Sequence, residues 1–292
     1  MEALLQEDFE TLEACPWCEG TLNTATFLYH DDMGCPIEKC ASCGAVFAKK
    51  RLSPSGLSKY WKDWLSRVHL HDADAVEKRN RMYEIDFRFI QGYLPTGRVL
   101  DVGCGNGSFL NIFREHGYET EGVEFGEEAA AQAALLHHVH QGEFPELLLA
   151  RQYDLVIFRG VLQYVPRPKD YLDKAMSLLN PGGLIFITAQ PNMNSFCFKL
   201  FKNKFTQPVC GVDFIGYTEQ MLSAYFYGAG FQKLGEAYFY EETPYANPEK
   251  DIIKVAEAII NKKNGGVIDI KSPSFYGNMM SLVYRKDCIE KV

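Results

Sequence analysis

Between Arg98 and His116 the chain has few ways to fold. Arg98–Val102 is a strand candidate, and Gly103-Cys104-Gly105-Asn106-Gly107 follows it with a glycine at every second position. A helical pattern over Gly107–His116 comes next. A strand that enters a helix through such a turn brings bare backbone and a helix N-terminus to one point, which suits a nucleotide-like ligand. A dinucleotide fingerprint requires its third glycine at position 108, where this chain carries serine. The next strand candidate closes on Glu124, 23 residues beyond Asp101. A carboxylate there can accept both hydroxyls of a ribose.

The same alternation continues, the sign of a parallel α/β sheet. Strands are expected at Arg98–Val102, Glu119–Glu124, His137–His140, Asp154–Phe158 and Leu184–Thr188, with helices near Glu127–Leu136 and Lys169–Leu179. Asn180-Pro181-Gly182-Gly183 is expected to stop the last of these helices. Thr218 reads as an N-cap, and Asn247-Pro248 opens a helix with Ile252, Val255, Ala256, Ile259 and Ile260 on its inner face. Two late strands, Phe231–Tyr240 and Met279–Arg285, complete the set. Upstream, Ser53-Pro54-Ser55-Gly56 reads as a turn, followed by an apolar face of Tyr60, Trp61, Trp64, Leu65 and Val68. A second helix, Ala75 to Tyr93, has a stripe of Met82, Ile85, Phe89 and Ile90. His69 and His71 fall on different faces of a helix, so no metal role is expected of them.

Four of the nine cysteines form two C-x-x-C pairs, Cys15-Pro-Trp-Cys18 and Cys40-Ala-Ser-Cys43, with 21 residues between them. Two thiolates on a tight turn can face one ion, and two such turns complete the tetrahedron of a structural Zn²⁺ site. Cys35 is a substitute ligand without a partner at knuckle spacing. Residues 1–52 hold nine acidic residues against four basic ones, and the whole chain carries −8. Nucleic acid is therefore not an expected partner. The start, MEALLQEDFE, is acidic where a signal peptide is basic, and cysteines without an export signal point to a reducing cytoplasm. The longest charge-free run, between Lys174 and Lys199, is interrupted by turn residues, so no membrane span is expected.

The stretch LDVGCGNGSFL with GVEFG resembles motifs I and II of class I S-adenosylmethionine-dependent methyltransferases. The resemblance continues through Tyr153-Asp154-Leu155-Val156, Val161-Leu162-Gln163-Tyr164-Val165-Pro166 and Leu179–Gly183; it is close over 97–192 and looser over 193–292. It implies a Rossmann-like, doubly wound, seven-stranded sheet over 96–292, with a cofactor core at 96–192 and substrate-side elements at 193–292. A zinc ribbon at 1–52 and a helical linker at 53–95 precede it. A two-knuckle ribbon ahead of such a domain is similar to bacterial enzymes that methylate sugars or other small molecules. The family implies S-adenosylmethionine as cofactor: Gly103, Gly105 and the main chain at Cys104 around its methionine part, and Asp101 holding the loop or reaching the amino group through water. Glu124 would take the ribose, Phe125 would lie against the adenine, and Glu143 and Phe144 would stand on the adenine side. Arg159 would stand where acceptor and cofactor meet.

Two departures bear on mechanism. Relatives often read Leu-Glu-His-Val-Pro where this chain has Leu162-Gln163-Tyr164-Val165-Pro166, and Asp213 stands where many carry a histidine. A hydroxyl acceptor needs a base, and an amine does not. Asp213, Tyr164 and His30 are the candidates; Asp213 could equally hold an ammonium group or cap a loop. Ser272–Asn278 reads as a lid or pocket edge. The expected reaction is methyl transfer to a small molecule, a sugar-like hydroxyl ahead of an amine. An NAD-dependent oxidoreductase and a non-catalytic binding module are the rival readings.

Overall fold

The structure, a computed structural model, describes residues 5–62 and 73–287. Trp64, Leu65, Val68, His69 and His71 lie outside the described residues, as does the side chain of Trp61. The N-terminal part is built from short strands: β1 (Phe9–Thr11), β2 (Thr26–His30), β3 (Pro36–Lys39), β4 (Val46–Ala48) and β5 (Lys50–Leu52). Two helices follow, α1 (Pro54–Lys62) and α2 (Ala73–Gln91).

The alternating part then runs β6 (Arg98–Val102), α3 (Ser108–Glu115), β7 (Glu119–Glu124), α4 (Glu127–Ala133), β8 (His138–Gln141), β9 (Tyr153–Arg159), α5 (Pro168–Ser177) and β10 (Leu179–Pro191). It closes with α6 (Phe196–Phe201), β11 (Ile215–Gly216), α7 (Glu219–Gly228), β12 (Phe231–Ala237), α8 (Pro248–Lys263) and β13 (Met279–Lys286). Seven strands form one sheet in the order β12-β13-β10-β9-β6-β7-β8. From β10 to β8 all neighbours are parallel, and β13 runs antiparallel to both β10 and β12. This is the mixed α/β, doubly wound sheet that the resemblance implies. Strand order reverses between β6 and β9, and such a switch point opens a crevice at the carboxyl ends of the strands.

Successive strand residues point to opposite faces, so one sheet feeds two cores. Val99, Leu155, Ile157, Leu184 and Phe186 pack with Phe87 of α2 and with Phe109 and Phe113 of α3. Leu100, Val102, Val156, Phe158, Ile185 and Ile187 pack with Leu172 of α5 and with Leu222 and Phe226 of α7. Cys15, Trp17, Cys40 and Phe47 belong to this second core. The ribbon and the large sheet thus share one apolar interior. They also share strands, since β11 adds antiparallel to β4 at the edge of the sheet β11-β4-β3-β2.

Five expectations are corrected by tertiary context. Ser53–Gly56 is no turn: α1 begins at Pro54, a residue whose fixed φ suits a first helical position, and Ser53 Oγ accepts the Gly56 N–H at 3.3 Å. Glycine is needed at 56 because a Cβ there would stand 2.2 Å from the Asp8 carbonyl oxygen. Asn180–Gly183 does not stop α5, which ends at Ser177; the four residues bulge within β10, whose pairing with β9 passes from Leu179↔Tyr153 to Leu184↔Leu155. On α8 the buried residues are Asp251, Val255 and Ala258, while Ile252 and Ile260 are each 59% exposed and Ala256 also faces out. The α2 stripe is wider than expected, since Asp86 and Phe87 are fully buried. The strand expected to reach Tyr240 ends at Ala237. The Thr218 and Asn247 caps are present, each accepting the N–H three residues on.

Candidate functional site

The glycine turn sits at the carboxyl end of β6, beside the switch point. Most of its amides are already engaged within the chain. Gly103 and Cys104 N–H donate to the Val123 carbonyl at 2.8 and 3.0 Å, Gly107 N–H to the Cys104 carbonyl, and Ser108 N–H to Asn106 Oδ1. Glu124 Oε2 accepts the Gly105 N–H at 2.8 Å, and its Oε1 accepts that of Gly126 at 2.7 Å. With most of its donors occupied, the turn offers chiefly carboxylates and carbonyls to a ligand. That electrostatic character favours hydroxyl and ammonium groups over a pyrophosphate. Gly105 has φ +57° and nothing within 4 Å of where a Cβ would stand, so the backbone there is open. Phe125 is 45% exposed beside Glu124, a free ring face next to the carboxylate. Asp101 Oδ1 is buried with no hydrogen-bond partner among the described residues, and burial pushes its carboxyl up to about 7. An orphaned buried acceptor at this point is the mark of a ligand that donates to it.

Of the other sequence candidates on this side, Cys104 and Phe144 sit deeper than expected and Glu143 does not. Cys104 is buried in the core, and burial pushes its thiol far above its ordinary value. Phe144 is buried, with its ring 6.2 Å from Phe158 and 5.8 Å from Tyr171. Glu143 is exposed and accepts the Tyr171 hydroxyl. Arg159 donates to Asp86 at 2.9 Å and lies over the Tyr83 ring at 4.4 Å, while Thr188 Oγ1 donates to the other Asp86 oxygen. Its guanidinium is thereby committed to α2. An acid buried on a helix is unreadable from periodicity, which is why Asp86 was not foreseen.

On the other side of the crevice lies a small recess lined by Gln163, Pro191, Met193, Val209, Asp213 and Ile215. Asp213 and Tyr164 meet there through a side-chain hydrogen bond. Burial pushes Asp213 up to about 7, with Tyr164 and Cys210 opposing, and burial beside Asp213 holds the Tyr164 phenol neutral. Asp213 Oδ1, Gln163 Oε1 and Gln190 Nε2 are buried and have no hydrogen-bond partner among the described residues. Gln163 and Gln190 follow or end the parallel strands β9 and β10, so the orphaned atoms gather on the edge of the sheet where Asp101 stands. Sequence reading gave Gln163 as a missing acid and passed over Gln190, whose only signal is its position at a strand end. His30 is not at this place: it is exposed on β2, its ring 4.8 Å from Phe27. Ser272–Asn278 is pinned rather than hinged, since Ser272 bonds Thr206 and Asn278 bonds the backbone of Pro273 and Asn192.

The four knuckle cysteines converge. Cys15 and Cys43 Sγ are 3.6 Å apart, Cys18 and Cys40 Sγ 3.7 Å, and all four lie within 4.8 Å of one another. Sulfurs at about 2.3 Å from a tetrahedral Zn²⁺ are about 3.8 Å apart, whereas a disulfide requires about 2.0 Å. The donor set therefore fits the ion. Cys35 stands apart and is pushed up to about 11 by burial. Both knuckles carry the same backbone, with Cys15 N–H to Gly20 O and Cys40 N–H to Ala45 O, each 2.9 Å. Between the first pair, Trp17 packs edge-on to Tyr217 and Tyr225 at 5.5 and 5.2 Å, which roots the ribbon in the main core.

Comparison with known proteins bears on the fold and the family. Ubiquinone biosynthesis O-methyltransferase of Burkholderia pseudomallei is 30% identical over 149 residues, 47% of this chain and 61% of that one. The chain thus spans about 61% of the length of the curated relatives it matches. Magnesium protoporphyrin IX methyltransferase from Synechocystis PCC 6803, solved with bound S-adenosylhomocysteine, has a similar fold: TM-score 0.54 and 14% identity over 80% of this chain and 100% of that one. The Burkholderia thailandensis 1,6-didemethyltoxoflavin-N1-methyltransferase gives a TM-score of 0.53 at 16% identity, over 90% of this chain and 100% of that one. Residues 57–232, more than half the chain and spanning both the glycine turn and the Asp213 recess, match the family model described as a methyltransferase domain, and the chain belongs to that family.

Proposed function

We propose that this chain transfers a methyl group from S-adenosylmethionine to a small-molecule acceptor, a hydroxyl of a sugar or natural-product intermediate, and that Zn²⁺ holds its ribbon through Cys15, Cys18, Cys40 and Cys43. The observation that carries the reading is Asp213, a buried carboxylate with one orphaned oxygen, poised near neutral pH on the edge of the sheet that bears the glycine turn. When bound, the cofactor supplies an already activated methyl on a sulfonium sulfur, so the chain needs no group to activate it.

Asp101, Gly103, Gly105, Glu124 and Phe125 would hold the cofactor: Glu124 by ribose hydroxyls, Phe125 by the adenine face, and Asp101 by the ammonium end. Asp213 Oδ1 would accept the proton of the acceptor hydroxyl as the new C–O bond forms. Tyr164, kept neutral, donates to Asp213 and keeps that carboxylate oriented. A base of this kind contributes about 10²–10⁴-fold. Most of the remaining acceleration would come from in-line positioning in a dry recess.

The test is calorimetric titration with S-adenosylmethionine and S-adenosylhomocysteine, followed by an acceptor screen. Micromolar binding is expected, weakened by about 1.5–3 kcal/mol in Glu124→Gln. Absence of binding to either ligand would overturn the reading. Turnover of amines alone, unaffected by Asp213→Asn, would replace hydroxyl transfer with N-methylation.

A further inference from the structure

Away from the crevice, the outer edge of the large sheet carries a group that the methyl-transfer reading does not use. Glu121 on β7 stands opposite His138 on the edge strand β8, and His140, two residues on, shares that face. Glu121 Oε2 is 3.3 Å from His138 Nδ1 and 3.1 Å from His140 Nε2, and the three atoms lie within 4.8 Å of one another. The geometry points to a second metal site on this chain, a two-histidine, one-carboxylate site for a divalent transition ion.

Three observations carry this. Ligand atoms at about 2.0–2.2 Å from a tetrahedral ion are separated by about 3.3 Å, and both carboxylate–imidazole separations match that spacing. The donor set of two imidazoles and a carboxylate suits Zn²⁺, Co²⁺ or Ni²⁺ rather than Mg²⁺ or Ca²⁺. The acceptor is also oversubscribed: the Tyr153 hydroxyl donates to the same Oε2 at 2.9 Å, making three partners for an oxygen with two lone-pair sites. One ion would replace both histidine contacts on that oxygen, leaving the other lone pair to Tyr153. Burial is graded in a way that leaves an open coordination position. Glu121 is 5% exposed, His140 23% and His138 65%.

One neighbour works against the ion. Arg151 donates to Glu121 Oε1 at 3.2 Å, and its positive charge would oppose a dication. Its side chain is 58% exposed and free to turn outward into water. An ion here would tie the edge strand β8 to β7.

The experiment uses the full chain with its cysteine site already loaded with zinc, titrated with Co²⁺ alone. Uptake of one cobalt per chain is expected, with a visible d–d spectrum lacking a thiolate charge-transfer band. His140→Ala and Glu121→Gln should each weaken uptake about tenfold or more, and Arg151→Gln should tighten it. His138→Gln, a change at an exposed position, should also weaken uptake while leaving thermal unfolding without cobalt unchanged, which separates ligand loss from misfolding. No cobalt uptake, cobalt appearing only with a thiolate band, or uptake that survives both histidine substitutions would overturn the proposal.

Discussion

Two buried carboxylates, Asp213 and Asp101, make the clearest residue-level predictions, because burial raises each from 3.8 to about 7. A base must be ionised to act, so kcat/KM for a hydroxyl acceptor should rise with pH and level off above about 7. Asp213→Asn should lower kcat by about 10²–10⁴-fold and remove that pH dependence. Stability runs the other way. The native state holds a proton that the unfolded chain has already released between 3.8 and about 7, so these two groups make the fold less stable as pH rises through that window. Thermal unfolding at pH 5 and pH 8 should show Asp213→Asn more stable than the parent at pH 8, with a smaller difference between the two conditions. A parent whose stability is indifferent to pH in this range would contradict the raised value.

At the scale of elements, the ribbon and the recess are mechanically one object. Ile215 and Gly216 pair with Phe47 and Val46 of β4, and Gly211 N–H donates to Asp31 Oδ2 at 2.8 Å. From the other side, Phe214 N–H donates to the Gln163 carbonyl at 2.7 Å. Asp213 is therefore held between a ribbon strand and the turn after β9. Loss of the four-cysteine cluster should disturb the acceptor side and spare the glycine turn. For Cys43→Ser we expect zinc content to fall by elemental analysis and acceptor turnover to drop, with S-adenosylmethionine affinity changed by less than about twofold, because the ribbon's strand pairing reaches the Asp213 segment and not the glycine turn. Equal loss at both ligands would mean that the ribbon supports the whole fold indiscriminately. Trp17→Ala removes the aromatic root of the ribbon and should cost about 3–5 kcal/mol in denaturant unfolding.

The whole molecule should unfold as a unit, because the second core joins Cys15, Trp17, Cys40 and Phe47 to the strands and helices of the large sheet. Calorimetry is expected to give one transition, and a chain beginning at residue 53 should lose cooperative unfolding and associate through the face it exposes. Two separate transitions would show the ribbon to be independent. Among the described residues no helix is long and apolar enough to cross a membrane. The sequence by itself determined the features that depend on local order. The strand runs at Arg98–Val102 and Glu119–Glu124, the alternating glycines, the caps at Thr218 and Asn247, and the knuckle spacing all encode their geometry within a few residues. Local pattern does not record what a distant segment will bring. Leu179 starting a strand, Ile252 and Ile260 facing out, and Asp86 buried against Arg159 follow from packing between segments far apart in the chain. The same is true of Asp213 meeting Tyr164, and of Glu121 meeting two histidines of the neighbouring strand. Only the tertiary structure decides those, because burial and long-range pairing, not periodicity, set a side chain's surroundings.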